Sequence, residues 1–256
     1  MEMGYSEAAV VKTEATEESR LHLVSSHKAR AHIDSSAPVI PNYLHKTYYW
    51  AYLNPRNVKL LDHEWVVRTI LWQQHHRLTR AATVEIEPGQ HVMQTACVYG
   101  NFSSVLAAQV GSEGKLDIFD VAEVQVRNCR HKLAEHEHVT VRHQDILYVR
   151  DETYDVVCCY FLMHELPEDY KRGVARALLE SVRPGGKLVF VDYHKPHWAH
   201  PLKLITSIIF DTLEPYAKGL WREELASFAG NDERFEWRKE TYFGGLFQKV
   251  VATRKE

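Results

Sequence analysis

The chain lacks a long hydrophobic run, an excess of positive charge, paired cysteines and an abundance of glycine, and each shortage removes a class of protein. No apolar stretch approaches the roughly 20 residues that a bilayer span requires, so a membrane-spanning reading is excluded. With 31 Lys+Arg against 34 Asp+Glu and a formal net charge of -3, the chain has no field for a phosphate backbone and no dense basic run, so no nucleic-acid partner is expected. The four cysteines, Cys97, Cys129, Cys158 and Cys159, include no CxxC pair, and two of them sit inside an apolar run. They read as reduced, buried thiols of an intracellular protein. The acidic opening MEMGYSEAAVVKTEATEESR lacks the apolar region of a secretory signal and the arginines of a transit peptide. The expected location is therefore cytoplasmic.

Glycine is scarcest where it matters most. Gln90 to Val105, QHVMQTACVYGNFSSV, reads as a buried strand, a turn and the first turn of a helix. At that junction a doubly wound α/β domain lays backbone N–H groups against a nucleotide-like cofactor. Where such a loop carries several glycines, this one has Thr95, Ala96, Cys97, Val98 and Tyr99, with Gly100 alone remaining.

What is present gives the organisation. At 256 residues and 45% hydrophobic content, one sizeable core is expected. Residues 1–35 are polar and without period and are expected to be a flexible arm. Residues 36–85 read as an aromatic-rich helical cap. PNYLHKTYYWAYLNP concentrates Tyr43, Tyr48, Tyr49, Trp50 and Tyr52, which must cover something apolar, either the core or a ligand. The following stretch from Asn57 to Ala82 repeats Leu61, Trp65, Thr69 and Trp72 at helical spacing, with Asp62 as a candidate N-cap. From residue 86 onward, strands alternate with helical patterns: His91 to Ala96, the run ending at Asp120, VTVRHQD, YDVVCCYF, and KLVFVDY after an RPGG turn. That rhythm predicts right-handed crossovers and a doubly wound, mostly parallel sheet. Residues from about 194 to 231 form an insertion in which LITSIIFDTL is expected as a helix on the sheet or at a membrane surface. Two β-rich segments around Gly244-Gly245 predict a closing hairpin with an antiparallel strand.

The strand ends carry the candidate chemistry, because in an open parallel sheet they border one crevice. Asp120 ends the second strand and suits a ribose diol, or is a solvated loop carboxylate. Asp145, ending the third, is placed for an adenine amino group, with a plain loop role equally open. Tyr160 and His164 follow the fourth strand; His164 is a candidate base or a cap for the helix opened by Pro167. Asp192, His194 and His197 offer a carboxylate and two imidazoles after the fifth strand, as metal ligands or as loop residues at a solvent edge.

Asp120, Asp145, the FLMHELP turn, RPGGKLVFVDY and the hairpin together resemble class I S-adenosylmethionine (SAM)-dependent methyltransferases, especially the quinone-modifying enzymes of ubiquinone and menaquinone biosynthesis. That likeness runs from about Ile86 to the C-terminus. PNYLHKTYYWAYLNP, TACVYGNFS and VDYHKPHW resemble a narrower group, the methyltransferase-like rhodoquinone biosynthesis proteins, over most of the chain after Pro41. The resemblance implies a seven-stranded Rossmann-like sheet, with a SAM-binding domain over residues 86–256. It also implies SAM as an amino donor together with Mn2+, and ubiquinone as a lipid-soluble substrate whose ring methoxy group is replaced. Carried onto this chain, it makes Gln94, Thr95, Ala96, Cys97, Tyr99, Gly100, Asp120, Val121, Asp145, Ile146 and Tyr160 the expected cofactor contacts. Tyr160, His164 and Tyr99 are then the catalytic candidates, and Asp192, His194 and His197 the metal ligands. Tyr48, Tyr49 and Trp50 are expected to stack on the quinone. Peripheral contact with the inner membrane surface follows from so greasy a substrate. The departure is the loop itself, where that superfamily has an acidic residue and glycines and this chain has QTACVYG. A conventional methyltransferase acting on a quinone or small phenol, and a non-catalytic SAM-binding protein, are the alternatives.

Overall fold

The computed structural model describes residues 38–149 and 153–256; the arm expected over residues 1–35 lies outside them. Five apolar runs become parallel strands: β1 (His91–Gln94), β2 (Lys115–Asp120), β3 (Val139–His143), β4 (Tyr154–Tyr160) and β5 (Val182–Tyr193). Two more, β6 (Phe235–Tyr242) and β7 (Phe247–Arg254), form the hairpin. The seven-stranded sheet runs in the order β3-β2-β1-β4-β5-β7-β6. Strands β1 to β5 pair in parallel, while β7 lies antiparallel between β5 and β6. The hairpin turns at Gly244 and Gly245, both in the left-handed region, where only glycine bends without strain.

Strand β4 shows why its sequence is continuously apolar. Val156, Cys158 and Tyr160 enter the core on one face of the sheet, and Tyr154, Val157 and Cys159 the core on the other. A parallel strand covered on both faces has no solvent side on which to place polar residues. All four cysteines are free and buried. The RPGG segment departs from its expected role as a turn. It lies inside β5, where pairing jumps from Tyr154 opposite Val182 to Val156 opposite Lys187. A Cβ on Gly186 would lie 2.8 Å from the Asp155 carbonyl, so glycine lets the strand bulge and continue rather than end.

The cap also departs from expectation. Instead of one helix from Asn57 to Ala82, it comprises α1 (Asn42–Thr47), a π-helical turn (Tyr49–Leu53), α2 (Pro55–Leu61), α3 (Glu64–Ile70) and α4 (His75–Thr83). Asp62, the expected N-cap, instead closes α2 as its C-cap, and its carboxylate is engaged by the loop after β1. The second break comes at Trp72 and Gln73, both left-handed with φ of 51° and 63°, so helical periodicity alone misjudged a segment bent by tertiary contacts.

The remaining helices are α5 (Phe102–Val110), α6 (Glu123–Lys132), α7 (Glu168–Glu180), α8 (Lys203–Thr212) and the short α9 (Leu225–Phe228). Pro167 is the N-cap of α7, with Glu168 and Asp169 in the first turn, where the helix dipole favours acids. Fully buried Lys171 donates from Nζ to the carbonyls of Leu166 and Tyr216, each at 2.7 Å, and so fastens the insertion to α7. Cap and sheet belong to one compact unit. The strand order reverses between β1 and β4, which opens a crevice at their carboxyl ends.

Candidate active site

Strand β1 stops at Gln94, two residues earlier than its apolar run suggested, because the Gln94 side chain bends the chain after it. Its buried Nε2 donates to the Ala96 carbonyl at 2.7 Å and to Ser103 Oγ at 2.9 Å. Side chains hold the rest of the glycine-poor loop. Asp120 Oδ2 accepts from the Cys97 N–H at 2.9 Å, and Asp62 Oδ1 accepts from the Gly100 N–H at 2.9 Å. Lys132 Nζ reaches Asp62 Oδ1 at 2.7 Å and donates to the carbonyls of Val98 and Gly100 at 3.1 Å. Tyr99 faces the cap. Its hydroxyl donates to the Ala51 carbonyl and accepts from Gln125 Nε2 at 2.8 Å, and its ring stacks on Tyr52 with centroids 5.6 Å apart. Burial, with Glu165 and the nearby aspartates behind it, raises the phenol above its ordinary range despite the Gln125 hydrogen bond. Tyr99, expected as a catalytic group, therefore pins the cap to the loop, and its hydroxyl is spent in doing so.

Above the loop and the strand ends lies a cavity of about 1450 Å3, counting the open solvent at its mouth. One end, which we call the loop end, is lined by Thr95, Ala96, Cys97, Tyr99, Asp120, Val121, Asp145 and Ile146. Gln94 and Gly100, also expected as cofactor contacts, are not among the lining residues. Asp120 Oδ1 accepts from the Ala122 N–H at 2.8 Å. Burial pushes its carboxyl up to about 6 against the pull of the Ala122 and Cys97 N–H groups, so it is ionised at neutral pH. Asp145 caps the 3-10 turn Ile146–Tyr148, accepting from the Leu147 N–H at 2.9 Å.

The other, histidine end is aromatic and titratable. Tyr160, Phe161 and Tyr193 wall it, with Tyr193 edge-on to His164 at 4.9 Å between centroids. Tyr160 stacks on Phe102 at 3.7 Å, and its hydroxyl lies 3.5 Å from Thr79 Oγ1. The phenol is raised by burial, which disqualifies it as a base at neutral pH. Phe161 holds φ at 51°, a conformation rare for a bulky residue and concentrated at functional sites.

His164, on the 3-10 turn Met163–Glu165 after β4, is buried, with Nδ1 2.8 Å from Asp192 Oδ1 at the end of β5. Asp192 also accepts from the His164 backbone N–H at 3.2 Å and from the Tyr193 N–H at 2.7 Å. Burial alone would lower this imidazole, but the charge of Asp192 beside it pushes it up to about 9. Glu165 Oε1 lies 3.7 Å from His164 Nε2 and accepts from the Tyr52 hydroxyl. Burial pushes Glu165 up to about 8, against the pull of His164. Glu214, from the segment after α8, accepts from the Tyr48 hydroxyl at 2.8 Å and is likewise raised by burial. Burial thus raises both glutamates while the Asp192 charge raises the imidazole, so His164 and Glu165 hold protons ready to move.

The structure does not bring the expected metal ligands together. Asp192 faces His164; His194 Nδ1 lies 2.8 Å from the Gly245 carbonyl, and His197 is exposed with its Nδ1 accepting from Ala199. Among the described residues, Asp192, His194 and His197 do not form a group of converging ligand atoms, so this set does not fit Mn2+. Of the aromatic trio, Trp50 lines the cavity and Tyr48 and Tyr49 do not. Tyr48 is fully buried in a small cluster with Leu44 and Leu53, and Tyr49 is 53% exposed. Sequence reasoning missed Glu165 and Glu214 and gave Tyr52, Phe161 and Tyr193 no individual role, naming the first only in the aromatic segment and leaving the other two inside the stretches after the fourth and fifth strands. Glu165 and Tyr193 adjoin residues it singled out, and Glu214 was an acid closing an apolar run.

Comparison with known proteins sharpens this picture. The family described as Methyltransferase domain matches residues 92–186. Demethylmenaquinone methyltransferase of Alkalihalophilus pseudofirmus is 28% identical over 138 residues, covering 51% of this chain and 58% of that protein. The Staphylococcus epidermidis protein of the same name is 24% identical over 176 residues, covering 68% and 67%. The chain thus spans about three-fifths of the length of the first of these relatives. In fold, the chain is similar to a SAM-dependent methyltransferase from Aquifex aeolicus, at a TM-score of 0.56 and 20% identity, covering 78% of this chain and 98% of that one. It is also similar to N-methyltransferase NodS from Bradyrhizobium japonicum in complex with S-adenosyl-L-homocysteine, at 0.57 and 15%, covering 84% and 100%.

Proposed function

We propose that the chain binds SAM at the loop end of the cavity and transfers a group from it to a quinone ring held at the histidine end. The group is the amino group of SAM, and it replaces a ring methoxy group of ubiquinone. Several observations support binding of SAM: the match to the methyltransferase domain family, an acid at the end of β2 and another after β3, and a solved neighbour holding the spent form of the cofactor. The quinone reading rests on relatives named for methylating demethylmenaquinone, and on the aromatic walls of Tyr160, Phe161 and Tyr193.

The observation that carries amino rather than methyl transfer is Gln94. Where the superfamily has an acidic residue, this chain has an uncharged amide whose Nε2 is spent on Ala96 and Ser103. An amine left without an anionic partner there loses its proton more readily and becomes a nucleophile. The C–N bond forms at the methoxy-bearing carbon. His164 and Glu165, which hold protons, give one to the departing methoxide, which leaves as methanol, and take back the proton that the attacking nitrogen loses. The bond from that nitrogen to the SAM α-carbon then breaks by elimination, its electron pair staying on nitrogen with a proton taken from the neighbouring SAM carbon. The amino group thus remains on the ring and an unsaturated sulfonium is released. Asp192 orients His164 and steadies its charge. No step is routed through a divalent cation, because the residues expected to hold one do not converge.

The test is incubation of the full chain with ubiquinone and SAM carrying heavy nitrogen in its amino group and heavy carbon in its methyl group, with and without Mn2+. Mass spectrometry is expected to find the nitrogen label in a quinone that has lost methoxy. Carbon label in the quinone establishes the conventional methyltransferase instead, and an unchanged quinone under every condition establishes a non-catalytic binder.

The lipid-soluble substrate also gives α8 a role. No helix among the described residues is long and apolar enough to cross a membrane. Yet α8 buries Thr206 and Phe210 while exposing Leu204, Ile205 and Ile208. A helix apolar on both faces suits the plane of a lipid surface, where quinone enters. Replacing Leu204 and Ile208 with Glu is expected to weaken co-sedimentation with phospholipid vesicles while leaving SAM affinity unchanged.

A further inference from the structure

The cap carries a second cluster of titratable groups, separate from His164 and its carboxylates. Glu64 opens α3, His75 and His76 open α4, and their ligand atoms all lie within 4.8 Å of one another. Nε2 of His75 is 3.4 Å from Glu64 Oε1, and Nε2 of His76 is 4.0 Å from the same oxygen. The two rings converge, with centroids 3.7 Å apart. His75 is only 3% exposed, and neither of its ring nitrogens has a hydrogen-bond partner. Buried polar groups are almost always satisfied, and leaving both nitrogens of an imidazole unpaired is costly.

The His75 separation is that of ligands around one ion, and His76, on an exposed side chain, stands a few tenths of an ångström beyond it. Nitrogen and oxygen donors about 2.0–2.2 Å from a tetrahedral metal stand about 3.3–3.6 Å apart. We propose that Glu64, His75 and His76 bind a first-row divalent cation, zinc being the best match to two imidazoles and one carboxylate, with water completing the shell.

The position gives the ion a purpose. Its ligands flank the turn that contains left-handed Trp72 and Gln73, so the ion closes that turn and fixes α3 against α4. The cluster borders a small cavity lined also by Thr79, Gly100, Asn101 and Tyr160. Thr79 stands one helical turn after His75 and contacts the Tyr160 hydroxyl. The ion therefore braces the cap behind the loop and the cavity wall and takes no part in group transfer. The proposal stands on this geometry alone and is independent of which group is transferred.

The test uses the full chain stripped with a chelator, dialysed, and titrated with Co2+ while its visible ligand-field absorption is followed, with Zn2+ as competitor. One equivalent is expected to bind saturably, to be displaced by Zn2+, and to raise the melting temperature. His76→Ala, at a side chain 72% exposed, and Glu64→Gln are each expected to keep the fold by circular dichroism. Each should also weaken Co2+ binding by about tenfold or more and lose the Zn2+-dependent rise in melting temperature. Absence of a saturable band, or variants that bind Co2+ as tightly as the unmodified chain, overturns the site.

Discussion

At the loop end of the cavity, Asp120 and Asp145 accept from backbone N–H groups, whereas at the histidine end Asp192 accepts from two backbone N–H groups beside the His164 imidazole, and Glu165 and Glu214 accept from tyrosine hydroxyls of the cap. The first arrangement is fixed by the fold: a strand ends, a turn follows, and the acid caps it. The second depends on side chains from β5, from the turn after β4, from the cap and from the segment after α8 meeting in one place. A backbone-held acid is a stationary acceptor suited to binding. A group held by other titratable groups exchanges protons with them, which suits chemistry. The largest expected consequence is therefore at the histidine end. His164→Ala or Asp192→Asn is expected to lower turnover of the quinone by about 10²- to 10⁴-fold with SAM affinity nearly unchanged, as steady-state kinetics beside calorimetric SAM binding would report. Equal loss of both would erase the distinction between the ends.

Proton sharing also predicts a pH signature. His164 moves from 6.5 to about 9, so its stabilisation is fully present below 6.5 and lost as pH rises through 9. Glu165 moves from 4.5 to about 8; the folded state holds its proton more tightly than the unfolded chain, so stability falls as pH rises between those values. Both signs agree. Denaturation followed across pH is expected to show stability declining from about pH 4.5 to 9. In Glu165→Gln the decline should begin only near 6.5. An unmodified chain whose stability is flat over that range would show that the two groups do not titrate together.

The same contrast explains what the sequence made legible. Strand rhythm, the acid ending β2, the hairpin around Gly244-Gly245 and the dipole-matched start of α7 are local or periodic features, and the sheet was read from them. The histidine end was read only at Tyr160, His164 and Asp192. Glu214 reaches the cluster from 22 residues beyond Asp192 in sequence, through a turn that no period announces, and Tyr52 comes from the cap. Asp62 was misassigned for a related reason. Its helix-capping signature is local, but its carboxylate answers to Lys132, Asn128 and the Gly100 N–H, far away in the chain. Asp192, His194 and His197 failed as a ligand set because closeness in sequence after a strand does not aim side chains at one point.

The loop end has its own dependence on side chains, from beneath. Lys132 joins Asp62 to two loop carbonyls, and both partners are mostly buried, with side chains 19% and 14% exposed. Lys132→Met is expected to destabilise the chain by about 1.5–3 kcal/mol, the range for hydrogen bonds to charged groups, by chemical denaturation. SAM affinity should fall with it, because the Val98 and Gly100 carbonyls are then free to turn. A loss of stability without any loss of SAM affinity would mean that the loop keeps its shape unaided.

Tyr99 tests the boundary between the two ends, since it belongs to the loop but contacts only the cap and α6 through its hydroxyl. Tyr99→Phe keeps the ring stacked on Tyr52 and removes two hydrogen bonds, to the Ala51 carbonyl and from Gln125. The expected cost is about 1 kcal/mol or slightly more, with a raised KM for the quinone and little change in kcat or SAM affinity, because the cap that Trp50 and Tyr52 bring to the cavity is loosened while His164 keeps Asp192. Tyr99→Ala is expected to add the loss of stacking and to raise KM further in the same direction. A Tyr99→Phe variant whose kcat falls as far as that of His164→Ala would place the phenol in the reaction itself, and the division of labour between a binding loop and a proton-sharing cluster would have to be redrawn around it.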